Sequence, residues 1–427
     1  MNLNDLDVKD LVKEMGRFAS KPMDADNIYL PSLTKLCQLF NASTDFASTV
    51  KLFEELSGGK LNLSKSTLRN IDTKGIGVRS TKKLFSFIQS LPDPAKSLIP
   101  HKIGFGILRR FAVKSNSAQW LPLLDACETI DGVPTTLTRP AINFLHARCD
   151  HDYKNLCSAR IKIKTGQVDI NSQRALWELQ EKLWADYSLV PVDQLEFIRQ
   201  SNSKRNSKHT SQDFLYLEYD FYLQLIASFE VGILLQTKAL ANQLSVNFDT
   251  QGYRSFIYRG LQAYAKSTDA SPPITSCLGG LLSILKDELY EHDSKKTSNS
   301  GWRKLASLIE INESSPNNSS ESLQDRQYKQ LKRWRSGKDI PSKDALKKFT
   351  DRYFEYIQNP NDKRLSFFFL IMTMLDNLEK ELLAKTHQGS PGKTELLTLK
   401  SQTRKVLSDY PRYYQASLER ELQRAEA

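Results

Sequence analysis

Four side chains able to bind a metal, His146, Cys149, His151 and Cys157, fall within the run HARCDHDYKNLC. Thiolate and imidazole are the donors that zinc takes up in a tetrahedral array. The spacing is not that of a standard zinc site, however: no Cys-x-x-Cys pair is present, and cysteine often serves as a small buried hydrophobe. The expectation is no metal and no cofactor. Catalytic chemistry has little to draw on either. Gly58-Gly59-Lys60 lacks the upstream glycine and the following Ser or Thr of a phosphate-cradling loop, and neither a Gly-x-Ser-x-Gly elbow nor a His-Glu-x-x-His helix occurs. Glu218 and Asp220, set among aromatic residues, are expected to be exposed or paired structural charges. A chain without enzymatic activity is therefore expected.

A second cluster points to recognition. Residues 326–349 read RQYKQLKRWRSGKDIPSKDALKKF. In a helix from Arg326 to Arg335, Tyr328, Leu331, Trp334 and the stem of Arg335 share one side, while Arg326, Lys329, Lys332 and Arg333 share the other. Gly337 can end that helix, Pro341 blocks its continuation, and Ser342 can cap a following helix whose Leu346 and Phe349 return to the same core. Between positions 326 and 348 the nine basic residues Arg326, Lys329, Lys332, Arg333, Arg335, Lys338, Lys343, Lys347 and Lys348 face only Asp339 and Asp344. This local excess of seven lies in a chain of formal charge +11, and such clustering is what contact with phosphates requires.

The order of these signals resembles the second half of the Cro/repressor-type helix-turn-helix family. There a recognition helix ends in Trp-x-x-Gly, a short connection carries Pro-Ser, and the next helix carries Leu; the matching positions here are Trp334, Gly337, Pro341, Ser342 and Leu346. The resemblance covers residues 326–349 alone. It implies DNA binding of a regulatory kind, with Arg326, Lys329, Lys332, Arg333, Arg335 and Lys338 as the candidate contacts. Trp302 to Ile311 (WRKLASLIEI) can supply a supporting helix, although a Ser/Asn-rich run follows it where the family keeps a tight turn. A fainter echo lies in Ser66-Thr67-Leu68-Arg69-Asn70-Ile71, followed by Gly75 and Gly77, where Ser80, Leu84 and Phe87 repeat the spacing of Ser342, Leu346 and Phe349.

The elements that position these residues read as mainly α and multi-helical. Leu176, Leu179 and Leu183 recur at helical spacing, as do Leu375, Leu378 and Leu382. Residues 214–225 show strand alternation, yet Leu217, Phe221 and Leu225 also lie a helical turn apart, and the length favours helix. Ile161 to Ile170, two short alternating runs about Thr165-Gly166, predicts a small β-hairpin near 160–170. The run Leu365 to Leu375 (LSFFFLIMTML) is too short for a bilayer span and belongs in a helical core.

The length of 427 residues and 40% apolar content support several packed units. Polar runs at 199–209, 292–300 and 313–322 read as linkers, and 387–393 sets off a last helical pair around Pro411. The domains expected are 1–95, helical and helix-turn-helix-like; 96–291, a central helical body; 301–360, the basic unit; and 361–427, C-terminal helices. The five scattered cysteines, Cys37, Cys127, Cys149, Cys157 and Cys277, do not form a secreted disulfide framework. The acidic start MNLNDLD lacks the pattern of a signal peptide. A cytoplasmic protein with no membrane segment is expected. DNA is the partner expected first; the alternative is a helical scaffold for other proteins, with its basic surface serving solubility.

Overall fold

The computed structural model describes residues 29–40, 83, 115–121, 124, 135–169, 172, 178, 184, 186–196, 215–245, 255–267, 274–292, 300–311, 322–357, 364–386 and 393–426. Most of these residues are helical, with no strand among them. The helices are α1 Leu33–Leu39, α2 Thr135–Lys164, α3 Leu215–Gln243, α4 Phe256–Lys266, α5 Cys277–His292, α6 Ser300–Ser307, α7 Leu323–Arg335, α8 Lys343–Tyr356, α9 Arg364–Thr386, α10 Lys393–Ser408 and α11 Tyr410–Glu426. The N-terminal echo at 66–87 and most of the three polar runs lie outside the described residues.

The hairpin expected near 160–170 is not formed. Residues 161–164 are instead the last turn of α2, and Thr165-Gly166 closes it. Gly166, at φ +74°, takes the left-handed conformation, the Gln167 N–H donates to the Lys162 carbonyl at 2.9 Å, and the Gly166 N–H donates to that of Ile163 at 3.2 Å. A Thr-Gly pair suits a helix terminus as well as a hairpin turn. Two alternating pairs of Ile and Lys could not outweigh a helix already thirty residues long.

The chain divides into two compact units. The first comprises Met1–Gln38, Ala42–Arg205 and Asp220–Gln236. Its core sets Phe221 against Trp120 and Phe144, with ring centroids 5.9 and 5.8 Å apart. Beside these rings lies a buried ion pair, Arg148 to Asp220 at 3.1 Å. Arg148 also donates to the carbonyls of Tyr29 and Tyr187, while Asp220 accepts from the Leu189 N–H and the Gln224 amide. A buried charge pair survives only when its remaining donors and acceptors are met in this way. The reading of Asp220 as a paired structural charge holds.

From Leu215 to Gln224 every residue of α3 is buried, so its residues satisfy strand and helix periods alike, and length settled the matter. Of the described helices α3 is long and apolar enough to cross a membrane, and over half of its most apolar stretch is buried in the protein.

The second unit comprises Leu39–Asn41, Asn206–Tyr219 and Thr237–Ala427. Here α5 packs against α4, α6, α7 and α9, and the Phe-rich run of α9 lies in the core as expected, with Phe368 and Phe369 buried. The start of α5 meets two other elements. Both oxygens of Asp376, on α9, accept from its first N–H groups, those of Cys277 at 2.7 Å and Leu278 at 3.1 Å. The Ser276 hydroxyl accepts from the Gly279 N–H at 2.9 Å and donates to the Arg335 carbonyl of α7 at 3.0 Å. The backbones approach so closely that a Cβ on Gly279 would stand 2.4 Å from that carbonyl oxygen.

Glu379, one turn from Asp376, accepts from the Tyr264 hydroxyl at 3.3 Å and pairs with Lys400 at 3.5 Å. Burial, reinforced by the neighbouring Glu379, pushes the Asp376 carboxyl up to about 7. Burial also raises Glu379, against the pull of Lys400.

Two outcomes follow for stability. The folded chain holds a proton on Asp376 up to a pH of about 7, whereas the unfolded chain releases it near 4, so stability should fall as pH rises through that window. Denaturant midpoints measured from about pH 5 to about pH 8 should therefore fall in the wild type and fall less in Asp376→Asn. Gly279→Ala should lose about 1–3 kcal/mol in the same assay, because neither backbone can yield to the added methyl.

Candidate nucleic-acid interface

Ser322 opens α7 by accepting from the Asp325 N–H, three residues earlier than the expected start. On its inward side Leu331 and Trp334 are buried, and so is Gln327, whose amide donates to the Ser307 and Ile309 carbonyls at the end of α6. Gln327 thereby supplies partners for carbonyls that a helix end leaves without one. Trp334 meets Phe349 of α8 edge-on at 5.8 Å, and Phe349 meets Phe369 of α9 at 5.5 Å. The terminal signals act as expected. Gly337 adopts φ +68° and ends α7, Ser342 caps α8 by accepting from the Ala345 N–H, and Leu346 and Phe349 are buried.

The six candidate contact residues divide into three groups. Lys329, Lys332 and Arg333 are exposed along one side of α7, and Lys338 is exposed in the turn that follows. Arg326 is half-buried, and its Nε is enclosed with no hydrogen-bond partner among the described residues. Arg335 departs from expectation. Its whole side chain is buried, with the guanidinium 4.6 Å from the centre of the Trp302 ring. A guanidinium is weakly hydrated and stacks well on aromatic faces, so the charged head follows its stem inward. Arg335 holds α7 against α6 and drops out of the exposed set.

Neighbours modify the remaining charges. Arg333 is gripped by Asp339, with Nε at 2.5 Å from Oδ2 and Nη2 at 2.9 Å from Oδ1. Those hydrogen bonds hold the Asp339 carboxyl below the usual carboxylate range. Lys332 lies over the Tyr328 ring at 4.7 Å, and Arg303 of α6 approaches the same ring at 5.6 Å. On α8, Lys348 pairs with Glu310 at 3.0 Å, as Arg352 does at 3.7 Å. The local excess of charge is therefore smaller at the surface than in the sequence, and it concentrates on the outer side of α7. Arg303 belongs to this surface and was missed in the sequence. The adjacent cations Arg303 and Lys304, directly after the aromatic Trp302, were the available signal.

Beside the turn lies an open cleft of about 620 Å³ whose walls include Trp334, Lys338, Asp339, Asn377 and Lys380. Glu310 and Asp339 face the two lysines there, so the cleft has no single sign of charge with which to select a small ion.

The possible metal ligands are not brought together. His146, Cys149, His151 and Cys157 all lie on α2, and among the described residues no group of three or more His, Cys, Asp or Glu side chains could hold an ion. Both ring nitrogens of His151 are engaged, Nδ1 with the Tyr29 hydroxyl at 2.7 Å and Nε2 with the Asn155 amide at 2.8 Å. Burial lowers the ring to about 4, so His151 is neutral near pH 7 and serves as a hydrogen-bonding core residue.

Compared with family models, with curated proteins and with solved structures, the chain matches none of them.

Proposed function

We propose that this chain is a non-enzymatic DNA-binding protein of regulatory type that contacts the duplex through the outer side of α7. One observation carries the reading. Leu331, Trp334 and Gln327 lock one side of the helix into the core, which leaves Lys329, Lys332 and Arg333 together on the other, with Lys338 just beyond it. Nucleic-acid affinity rests largely on such clustered cations, each displacing counterions condensed on phosphates. The order of signals from Trp334 through Gly337 and Pro341 to Leu346, similar to that of Cro/repressor-type helices, supports the same reading. Because Trp334 is buried, the surface offers cations rather than an apolar patch of the kind that a protein scaffold would use. Lys329 and Lys332 would meet phosphates as mobile point charges, and the other helices would serve assembly or sensing inside the cell.

Fluorescence anisotropy with a labelled duplex over a salt series tests this. Affinity should fall steeply with rising salt, and Lys329→Glu with Lys332→Glu should weaken binding at least about tenfold near 100 mM salt while flattening the slope by about two phosphate contacts. Binding that ignores both salt and the double charge reversal would overturn the proposal.

A further inference from the structure

We infer that Asp339 is a positioning residue that aims Arg333 at a guanine edge, so that the exposed side of α7 contains one base-reading arginine among phosphate-binding lysines. This rests on the DNA-binding reading above and adds what that reading lacks, a source of sequence preference.

Asp339 holds the arginine through both main chain and side chain. Gly337, at φ +68°, turns the chain back so that the Asp339 N–H donates to the Arg333 carbonyl at 3.3 Å. Main chain and side chain therefore join the same two residues. The carboxylate grips the guanidinium side-on through Nε and Nη2, and the Gln330 amide donates to the same carboxylate at 3.4 Å. A guanidinium has five N–H groups in a rigid plane. A side-on grip uses two of them and leaves free the end-on pair on Nη1 and Nη2. Among the described residues no acceptor holds Nη1, and the Arg333 side chain is 58% exposed. That end-on fork matches two adjacent acceptors, either O6 and N7 of guanine or two oxygens of a phosphate.

Charge decides between them. An arginine meant for phosphate gains nothing from a carboxylate beside it, since the acid cancels its attraction and repels the anion. Lys332, on the same side of α7, rests instead against the Tyr328 ring. For a neutral base edge the repulsion is small, while the gain is large. A long flexible side chain is already set in one orientation, so less freedom is lost on contact. The same carboxylate would disfavour a misplaced fork, which turns a general cation into a selective one.

The test is a selection from a random duplex library with the full-length wild type, Arg333→Ala and Asp339→Ala, each first shown by thermal melting to be folded. Anisotropy then compares the selected duplex with copies in which each guanine is replaced by adenine or by 7-deazaguanine. The wild type should prefer guanine at one position by about tenfold, and both variants should lose that preference. Asp339→Ala should at the same time bind unselected duplexes more tightly, because a negative charge has gone. A merely structural Asp339 would lower affinity for every duplex and leave the ratio between guanine and adenine unchanged.

The inference is overturned if the selected guanine survives in Asp339→Ala, or if wild-type binding shows no base preference while remaining salt-dependent. If the wild type binds no duplex at all, the DNA-binding reading fails first and this one with it.

Discussion

The second unit turns on the meeting of two helix ends at the carbonyl of Arg335. Helix C-termini carry unpaired carbonyls and partial negative charge, and N-termini carry unpaired N–H groups and partial positive charge. Ser276 bridges the two by donating to the Arg335 carbonyl while accepting from the Gly279 N–H. Gly279 permits the approach, since any side chain there would occupy the carbonyl's own space. Together with Gln327 at the end of α6 and Arg335 over Trp302, this junction sets the rotation of α7 about its axis. With that rotation set, Leu331 and Trp334 turn inward and Lys329, Lys332 and Arg333 turn outward.

The division of labour on α7 follows from relative energies. Burying an aromatic such as Trp334 contributes several times what a surface ion pair does, so the inward residues decide the packing. The outward cations contribute little to folding. Asp376 shows the opposite arrangement inside the same unit. Its carboxylate satisfies the first N–H groups of α5 from within the core, and the cost of burial appears as a raised proton affinity. The buried Arg148 to Asp220 pair in the first unit is held by a comparable shell of backbone partners.

Features encoded by neighbouring residues were legible in the sequence. Gly337 and Ser342 act within one turn of their own positions, so their roles as stop and cap could be read from spacing, as could the helical core at 365–375. Features that join distant segments could not. Nothing in the run around Arg335 indicates that Trp302, thirty-three positions earlier, would draw the guanidinium inward. Nor could spacing alone show that Asp339 folds back onto Arg333, because that depends on the left-handed turn at Gly337. The hairpin expected near 160–170 failed for a related reason: Thr165-Gly166 is compatible with two kinds of chain reversal, and the helix preceding it decided which one formed.

In the proposed function, the outer side of α7 is the surface that meets the duplex. Labelling of lysines by an amine-reactive reagent, read by mass spectrometry with and without saturating duplex, addresses this directly. Lys329, Lys332 and Lys338 should be shielded by the duplex, while Lys405, exposed on α10, should react equally in both states. Equal labelling of the three α7 and turn lysines, with shielding elsewhere on the chain, would contradict the account.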